Sequence, residues 1–315
     1  MITSKSPRTV AEEALAVGEK VFPRFAHRYA PQVYSQPQLF ACLVLKSFFK
    51  TDYRGISAIL ADDSDLRCTL GLKHTPHFTT LHKACKRLLK RRHVDRLLDA
   101  SVRRIMGRCR TVVEAAIDSS GFDAGHASRY YVRRRAKGQS KSEKPRQNTR
   151  YQRYAKLGMV IDVASHMILA AEAGNGPRPD IDRFVPLVDR TLGRVRVRRM
   201  LGDAGYDSEP NHRHAREHLG ILSFMPATHG RPPLRGKPLT GRWRRRMRKL
   251  LATKLGRRRV RYGQRWQVET VVSMIKRRQS EVVHGRSFWS RCRDLLLMVL
   301  THNIMILAGA ADSTA

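Results

Sequence analysis

The chain changes its hydrophobic period once, near residue 110. Before that point apolar residues recur at helical spacing: Leu39, Phe40, Leu43, Val44 and Phe48; Ile56, Ile59 and Leu60; Leu81, Cys85, Leu88 and Leu89; Val94, Leu97, Leu98, Val102 and Ile105. Stripes of this kind with no alternating stretch between them predict an all-helical block. After it the pattern becomes strand-like. The run from Thr111 to Asp118 is short, apolar and β-branched, and Lys156 to Gly174 predicts two strands around a turn at residues 164–166. A helix is expected over Asp180 to Leu192, a strand over Val197 to Asp203, a helix over Asp207 to Leu219 and a strand over Ile221 to Ala227, followed by a helix carrying Glu269. That order predicts a mixed α/β sheet with helices packed on it. The 315 residues suffice for two cores, a helical one over 1–110 and an α/β one over 111–315 with a basic insertion at 228–261.

The stretch from Asp294 to Ala310 is apolar nearly all round and predicts a helix buried against the sheet or a partner subunit, with His302 and Asn303 bonded inside. Its apolar part is interrupted by Thr301, His302 and Asn303 and falls short of the roughly 20 residues of a bilayer span, so no membrane partner is expected. The first twenty residues carry three glutamates and no apolar segment of signal-peptide length, which predicts an untargeted, intracellular protein. Five scattered cysteines with no C-x2-C pair agree.

Charge narrows the partners. Lysine and arginine number 62 against 26 acidic residues, a formal +36, so the protein attracts polyanions, and nucleic acid is the natural one. Between Arg242 and Arg261 eleven of twenty residues are basic and none is acidic, which predicts a surface arm lying on phosphate without base preference, with Arg244, Arg245, Arg246 and Arg248 among the contacts. A second basic stretch, Arg129 to Tyr154, interleaves Tyr130, Tyr131, Tyr151 and Tyr154 and reads as a strand-to-strand excursion whose ends pack. In the helical block a helix capped by Thr79 or Thr80 would bury Leu81, Cys85, Leu88 and Leu89 and present Lys83, Lys86 and Arg87 outward. With the short helices before it, this becomes the groove-entering element of a helix-turn-helix. Cys68, His74, His77, His82 and Cys85 fit no common zinc spacing, and His212, His214 and His218 are expected to be exposed on a helix.

Three acidic residues stand where a sheet presents a site. Asp118 is expected to end the first strand, where Ser119, Ser120 and Gly121 let the chain turn away, and Asp203 to end a later one in the same manner. A third carboxylate from a helix laid across the sheet would converge on them. Three carboxylates suffice to hold two Mg²⁺ ions, hard cations that activate an attacking oxygen and stabilise a leaving one in phosphodiester cleavage. On an α-helix Tyr262, Arg265 and Lys276, at offsets of −7, −4 and +7 from Glu269, all lie within roughly 40° of it, while Val268, Val271, Met274 and Ile275 point away.

On these residues the chain resembles a known family. The string GDAGYDS, the intervals of 84 residues between Asp118 and Asp203 and 65 between Asp203 and Glu269, and YGQRWQVETVVSMIKRR are similar to the bacterial and archaeal insertion-sequence DDE transposases that carry the Tyr-Arg-Glu-Lys signature. The resemblance extends from about residue 36 to residue 305. It implies a ribonuclease H-like catalytic core and Asp118, Asp203 and Glu269 as the metal-binding triad, with two Mg²⁺ ions or Mn²⁺ in their place. It implies that Tyr262, Arg265 and Lys276 grip DNA near the scissile phosphate. It further implies binding of terminal inverted repeats, water-driven cleavage exposing 3′-hydroxyls and their joining to double-stranded target DNA. The protein would act as a homodimer or larger in a prokaryotic cytoplasm, on the nucleoid. Two other readings stay open: a DNA-binding protein descended from a transposase, and a tyrosine recombinase using Tyr262 or Tyr206 as nucleophile.

Overall fold

A computed structural model describes residues 3–29, 31–107, 110–124, 154–227 and 240–313. The expected change of period is present as six helices followed by a sheet: α1 (Pro7–Val21), α2 (Gln36–Phe48), α3 (Tyr53–Asp62), α4 (Ser64–Thr69), α5 (Phe78–Leu88) and α6 (Arg91–Met106) precede β1 (Thr111–Ala124). Helix α1 has no counterpart in the sequence reading. Its start is set by Ser6, whose side chain accepts from the Thr9 amide with Pro7 in the first turn, and Glu13 ties it to Arg104 of α6. Helix α5 begins one residue before the expected caps. His77 is its N-cap, and Thr79 and Thr80 lie inside the first turn.

The strands β2 (Tyr154–Asp162), β3 (Ile168–Gly176), β4 (Arg196–Gly202), β5 (Leu222–Phe224) and β6 (Val282–Val283) complete a mixed sheet of order β3-β2-β1-β4-β5, with β6 beside the far end of β1. β1 and β3 run antiparallel to β2, whereas β4 and β5 run parallel to β1. This is the ribonuclease H-like arrangement with flanking helices. Alternate residues of β1 serve the two faces: Ala115 and Ile117 face α7 (Phe184–Leu192), while Ala116 and Phe122 face the N-terminal helices and the two helices α11 (Trp266–Arg278) and α12 (Phe288–Asp312). The helical block and this face of the sheet therefore share one continuous core, although the chain passes from one to the other near residue 110.

Between β4 and β5 the expected helix is present as α8 (Glu209–Arg213), continued by a turn of π-helix. The arginine-rich run is not an extended arm where it is described. It folds as α9 (Arg242–Ala252) and α10 (Lys254–Arg259), burying Met247 and Leu251, while residues 228–239 of the insertion lie outside the described part. Of the second basic excursion only its last residue is described: the Tyr154 ring lies across Gly176, where any Cβ would come within 2.2 Å of it. Tyr130, Tyr131 and Tyr151 lie outside the described residues.

Helix α12 is longer than expected, at 25 residues, and by length and apolarity alone it matches a membrane span, yet 72% of its apolar window is buried inside the fold. Asn303 explains how a polar residue sits there. Its Oδ1 accepts from the Ile168 amide at 2.9 Å, and its Nδ2 donates to the Ile168 carbonyl at 2.9 Å and to the Ser101 hydroxyl at 3.1 Å. These bonds satisfy the backbone of β3 beside the register shift near Val160 and link sheet, α6 and α12. Replacing Asn303 with Ala strands two buried backbone groups, and urea unfolding is expected to show a loss of roughly 3 kcal/mol. A loss below about 1 kcal/mol would mean that water or relaxation supplies those bonds.

Candidate active site

Asp118 does not end its strand. β1 runs six residues further, and the opening at Asp118 comes from its neighbour instead. On one edge β2 pairs with β1 from Ala115 to Phe122. On the other edge β4 pairs only as far as Ile117↔Gly202, and β6 takes over at Asp123. Among the described residues no strand covers that edge between them, and the notch this leaves is where Asp118 lies. β4 stops because Asp203 caps a 3₁₀ turn, Ala204–Tyr206, its Oδ1 accepting from the Gly205 amide at 2.9 Å. The carboxylate that ends β4 thereby opens the notch.

The third carboxylate arrives from α11, whose buried side is Val268, Val271 and Ile275, as the sequence pattern requires. Tyr262 and Arg265 precede that helix in a 3₁₀ turn, Tyr262–Arg265, so the four residues of the string do not share one α-helical face. The Arg265 guanidinium is 2.7 Å from Glu269 Oε1 and 3.7 Å from Asp118 Oδ2, bridging two of the three carboxylates. Asp118 and Arg265 are largely enclosed, whereas Glu269 is half exposed.

Burial dominates the electrostatics. It pushes the Asp118 carboxyl up to about 6, the Ser119 amide and Arg265 pulling it down and the charges of Asp203 and Glu269 pushing it further up. Asp203 is raised as well, chiefly by burial, with the Asp180 charge adding to it. Among the described residues no three acidic, histidine or cysteine side chains are gathered closely enough to enclose an ion as they stand. The arginine occupies the space between Asp118 and Glu269. The donors themselves are all carboxylate oxygens, which suits a hard divalent cation, and the guanidinium holds the place of a positive charge.

The remaining expected site residues divide by their contacts. Tyr262 donates its hydroxyl to the Gly202 carbonyl at 3.0 Å, the residue before Asp203, and burial pushes its phenol up to about 12. It braces the end of β4 rather than presenting itself to solvent. Lys276 lies over the Phe122 ring, 5.0 Å from its centroid. Lys83 and Lys86 are exposed on α5 and Arg87 is half-buried. Helices α3, α4 and α5 are in place, with eight residues between α4 and α5 in place of a tight turn.

Arg245, Arg246 and Arg248 are exposed on α9, but Arg244 is not available as expected. Its guanidinium holds the fully buried Asp207 at 2.8 Å. Asp207 also faces His212, which is buried, contrary to expectation, and 2.8 Å from the Ser223 hydroxyl. Asp207 has no expected role at the site, and Tyr206 enters there only as an alternative nucleophile. Both stand in the GDAGYDS string, and the Tyr206 hydroxyl, 2.9 Å from Ser119 Oγ, joins the turn after Asp203 to the residue after Asp118. A tyrosine and a second aspartate just beyond a strand-end aspartate were the available signal.

The shift at Asp118 has a measurable consequence in the metal-free protein. Its carboxyl ionises near 3.8 in an unfolded chain and near 6 in the folded one, so it opposes folding above pH 6, and that cost vanishes as pH falls towards 4. Asp118→Asn is expected to stabilise the protein at pH 8, by at most about 3 kcal/mol, and hardly at all at pH 4. Denaturant unfolding at the two pH values checks it. A substitution that is neutral or destabilising at pH 8 would place Asp118 in a well-solvated or fully compensated setting.

Of the comparisons with known proteins, one identifies a family. The family described as transposase DDE domain matches residues 112–304, from the start of β1 to the middle of α12. No curated protein matches the chain. Among solved structures, the crystal structure of a pre-cleavage Mos1 transpososome matches at 14% identity and a TM-score of 0.20, over 66% of this chain and 64% of that one, a likeness too slight to carry an argument. The family match covers more than half of the residues and contains all three carboxylates, and on that basis the chain belongs to the transposase DDE domain family.

Proposed function

We propose that the protein is a DNA transposase that cleaves at the ends of its element to expose 3′-hydroxyls and joins them to target DNA. The observation that carries the proposal is the grouping of Asp118 from β1, Asp203 from the end of β4 and Glu269 from α11 around one notch, near enough for the charges of Asp203 and Glu269 to act on Asp118, with Arg265 between Asp118 and Glu269. Those three carboxylates would hold two divalent ions, Mg²⁺ or Mn²⁺. Bound there, the ions would supply Lewis-acid stabilisation of charge on both the attacking and the leaving oxygen.

The chain's own residues do the rest. Tyr262 and Tyr206 hold the loop that carries Asp203 against β1, fixing the distance between the two aspartates. Arg265, displaced from the carboxylates, is placed to receive a DNA phosphate through its planar fork. The exposed arginines of α9 and lysines of α5 supply attraction that does not depend on sequence. Recognition of the inverted repeats is assigned to α3–α5, with α5 entering the groove, and paired cutting of two ends to at least a dimer on DNA. A prokaryotic cytoplasm, on the nucleoid, is the compartment this work requires.

The tyrosine recombinase alternative fares worse on the same geometry. Tyr206 is fully buried with its hydroxyl on Ser119, and the Tyr262 hydroxyl is spent on a backbone carbonyl. Neither presents a nucleophile to a phosphate.

Asp118→Asn, Asp203→Asn and Glu269→Gln are each expected to abolish strand cleavage of end-bearing DNA, while binding to the same DNA stays within about twofold of wild type. Cleavage above a few per cent of the wild-type rate in any of the three would remove that residue from the chemistry. Full activity in excess EDTA would overturn the reading as a whole.

A further inference from the structure

A groove of about 770 Å³ runs between the α5–α6 turn, the last residues of β3 and the first turn of α12, on the edge of the sheet away from the catalytic notch. Lys86, Lys90, Arg178 and Arg293 line it. The carboxylates that share the groove are already matched: Glu172 receives Arg190 at 2.7 Å and Arg91 at 3.8 Å, and Asp95 receives Arg194. Among the described residues these four cations have no carboxylate within ion-pair distance, and with Arg91, Arg183 and Arg190 also on the lining against two carboxylates, the groove presents net positive charge. On its rim Trp289 is 69% exposed, its indole steadied by Phe288, which meets it edge-on at 5.0 Å between ring centroids.

We propose that this groove binds a single strand of DNA, its phosphates on the four cations and one base stacked on Trp289. Cations spaced along a concave wall beside an upright aromatic face are what a single strand requires, because each nucleotide brings one negative charge and one π-face. A duplex offers charge without a free base. The chain's own basic excursion is a poor occupant. Residues 125–153 carry ten lysines and arginines against one glutamate, so the groove would repel them.

The position of the groove suits the same role. Ser119, next to Asp118, pairs with Gly158, and Gly158 pairs with Glu172 on the groove floor. Two strand spacings, about 10 Å, therefore separate β1 at the notch from the groove, less than one turn of a duplex at about 34 Å. A strand parted near the notch would meet the groove within a few nucleotides, and Lys86, on α5, joins the groove to that helix. That the strand is DNA rests on the transposase reading, whereas the affinity for a single strand does not depend on cleavage.

The test is fluorescence anisotropy with labelled (dT)12 and with a duplex of equal length, in EDTA, over a range of salt. Trp289→Ala is expected to weaken (dT)12 binding about tenfold with the salt slope unchanged, and Trp289→Phe to recover most of that loss. Lys90→Gln with Arg178→Gln is expected to reduce the log-log salt slope by about 1.4, or 0.7 for each lost contact. Duplex binding should change by less than twofold in all three. Unaltered (dT)12 binding in Trp289→Ala would overturn the proposal. So would equal losses for single strand and duplex, or a Trp289→Ala change confined to self-association of the DNA-free protein in sedimentation. Because nothing is cleaved in EDTA, these outcomes are separate from those of the carboxylate substitutions.

Discussion

A carboxylate stripped of most of its water must find a positive charge nearby or take up a proton, and the candidate site is organised around Asp118 in that predicament. Burial raises it to about 6, Asp203 and Glu269 add repulsion, and Arg265 supplies the compensating charge from between two of the three groups. The surrounding architecture serves to keep that arrangement in place. β4 ends at Gly202 so that the notch exists, Tyr262 braces the end of β4, and the buried side of α11 fixes where Glu269 emerges. The DDE family reading and the local electrostatics are two descriptions of one constraint, since a cluster that demands a cation when empty is suited to hold one of higher charge.

The same scarcity of negative charge explains how so basic a chain folds. With 62 basic and 26 acidic residues, the acids are used as fasteners. Glu13 joins α1 to α6, Asp95 and Glu172 tie the α6 region to the α7 side of the sheet, and Glu209 accepts the first amides of α9 while Asp207 holds Arg244 of the same helix. Each such pair also decides which cations stay available. Arg245, Arg246 and Arg248 stay exposed while Arg244 is held by Asp207, and the groove beneath Trp289 is basic because its two acids are already neutralised. Exposed cations and structural scaffold are thus complementary parts of one charge distribution.

Much of this was legible in the sequence, for reasons that particular elements make plain. The strands β2 and β3 and their turn follow from uninterrupted apolar runs broken at Ala164–His166, and α11 follows from its 3.6-residue spacing. The three carboxylates were legible through their motif strings. What was missed depends on contacts between distant residues. Nothing local tells that β1 continues through Ser119 and Gly121, because its continuation is set by β2 on one side and β6 on the other. Nor does an arginine-rich run announce which of its members a buried aspartate will claim, or a histidine on a short helix that Asp207 and Ser223 will enclose it. The Tyr262–Arg265 turn departs from the α-helical wheel for a similar reason: the tyrosine's partner is a carbonyl on β4, sixty residues earlier in the chain.

The central claim is that Arg265 stands where a divalent cation belongs, and calorimetric titration of Mn²⁺ into DNA-free protein tests it most directly. Neutralising the arginine removes a competing cation but no ligand, since a guanidinium has no lone pair to offer. Arg265→Gln should therefore bind Mn²⁺ at least as tightly as wild type, while Glu269→Gln and Asp118→Asn lose measurable binding. If Arg265→Gln loses the ion as completely as Glu269→Gln does, the arginine is a structural strut for the glutamate, and the account of a site held open by a stand-in charge is wrong.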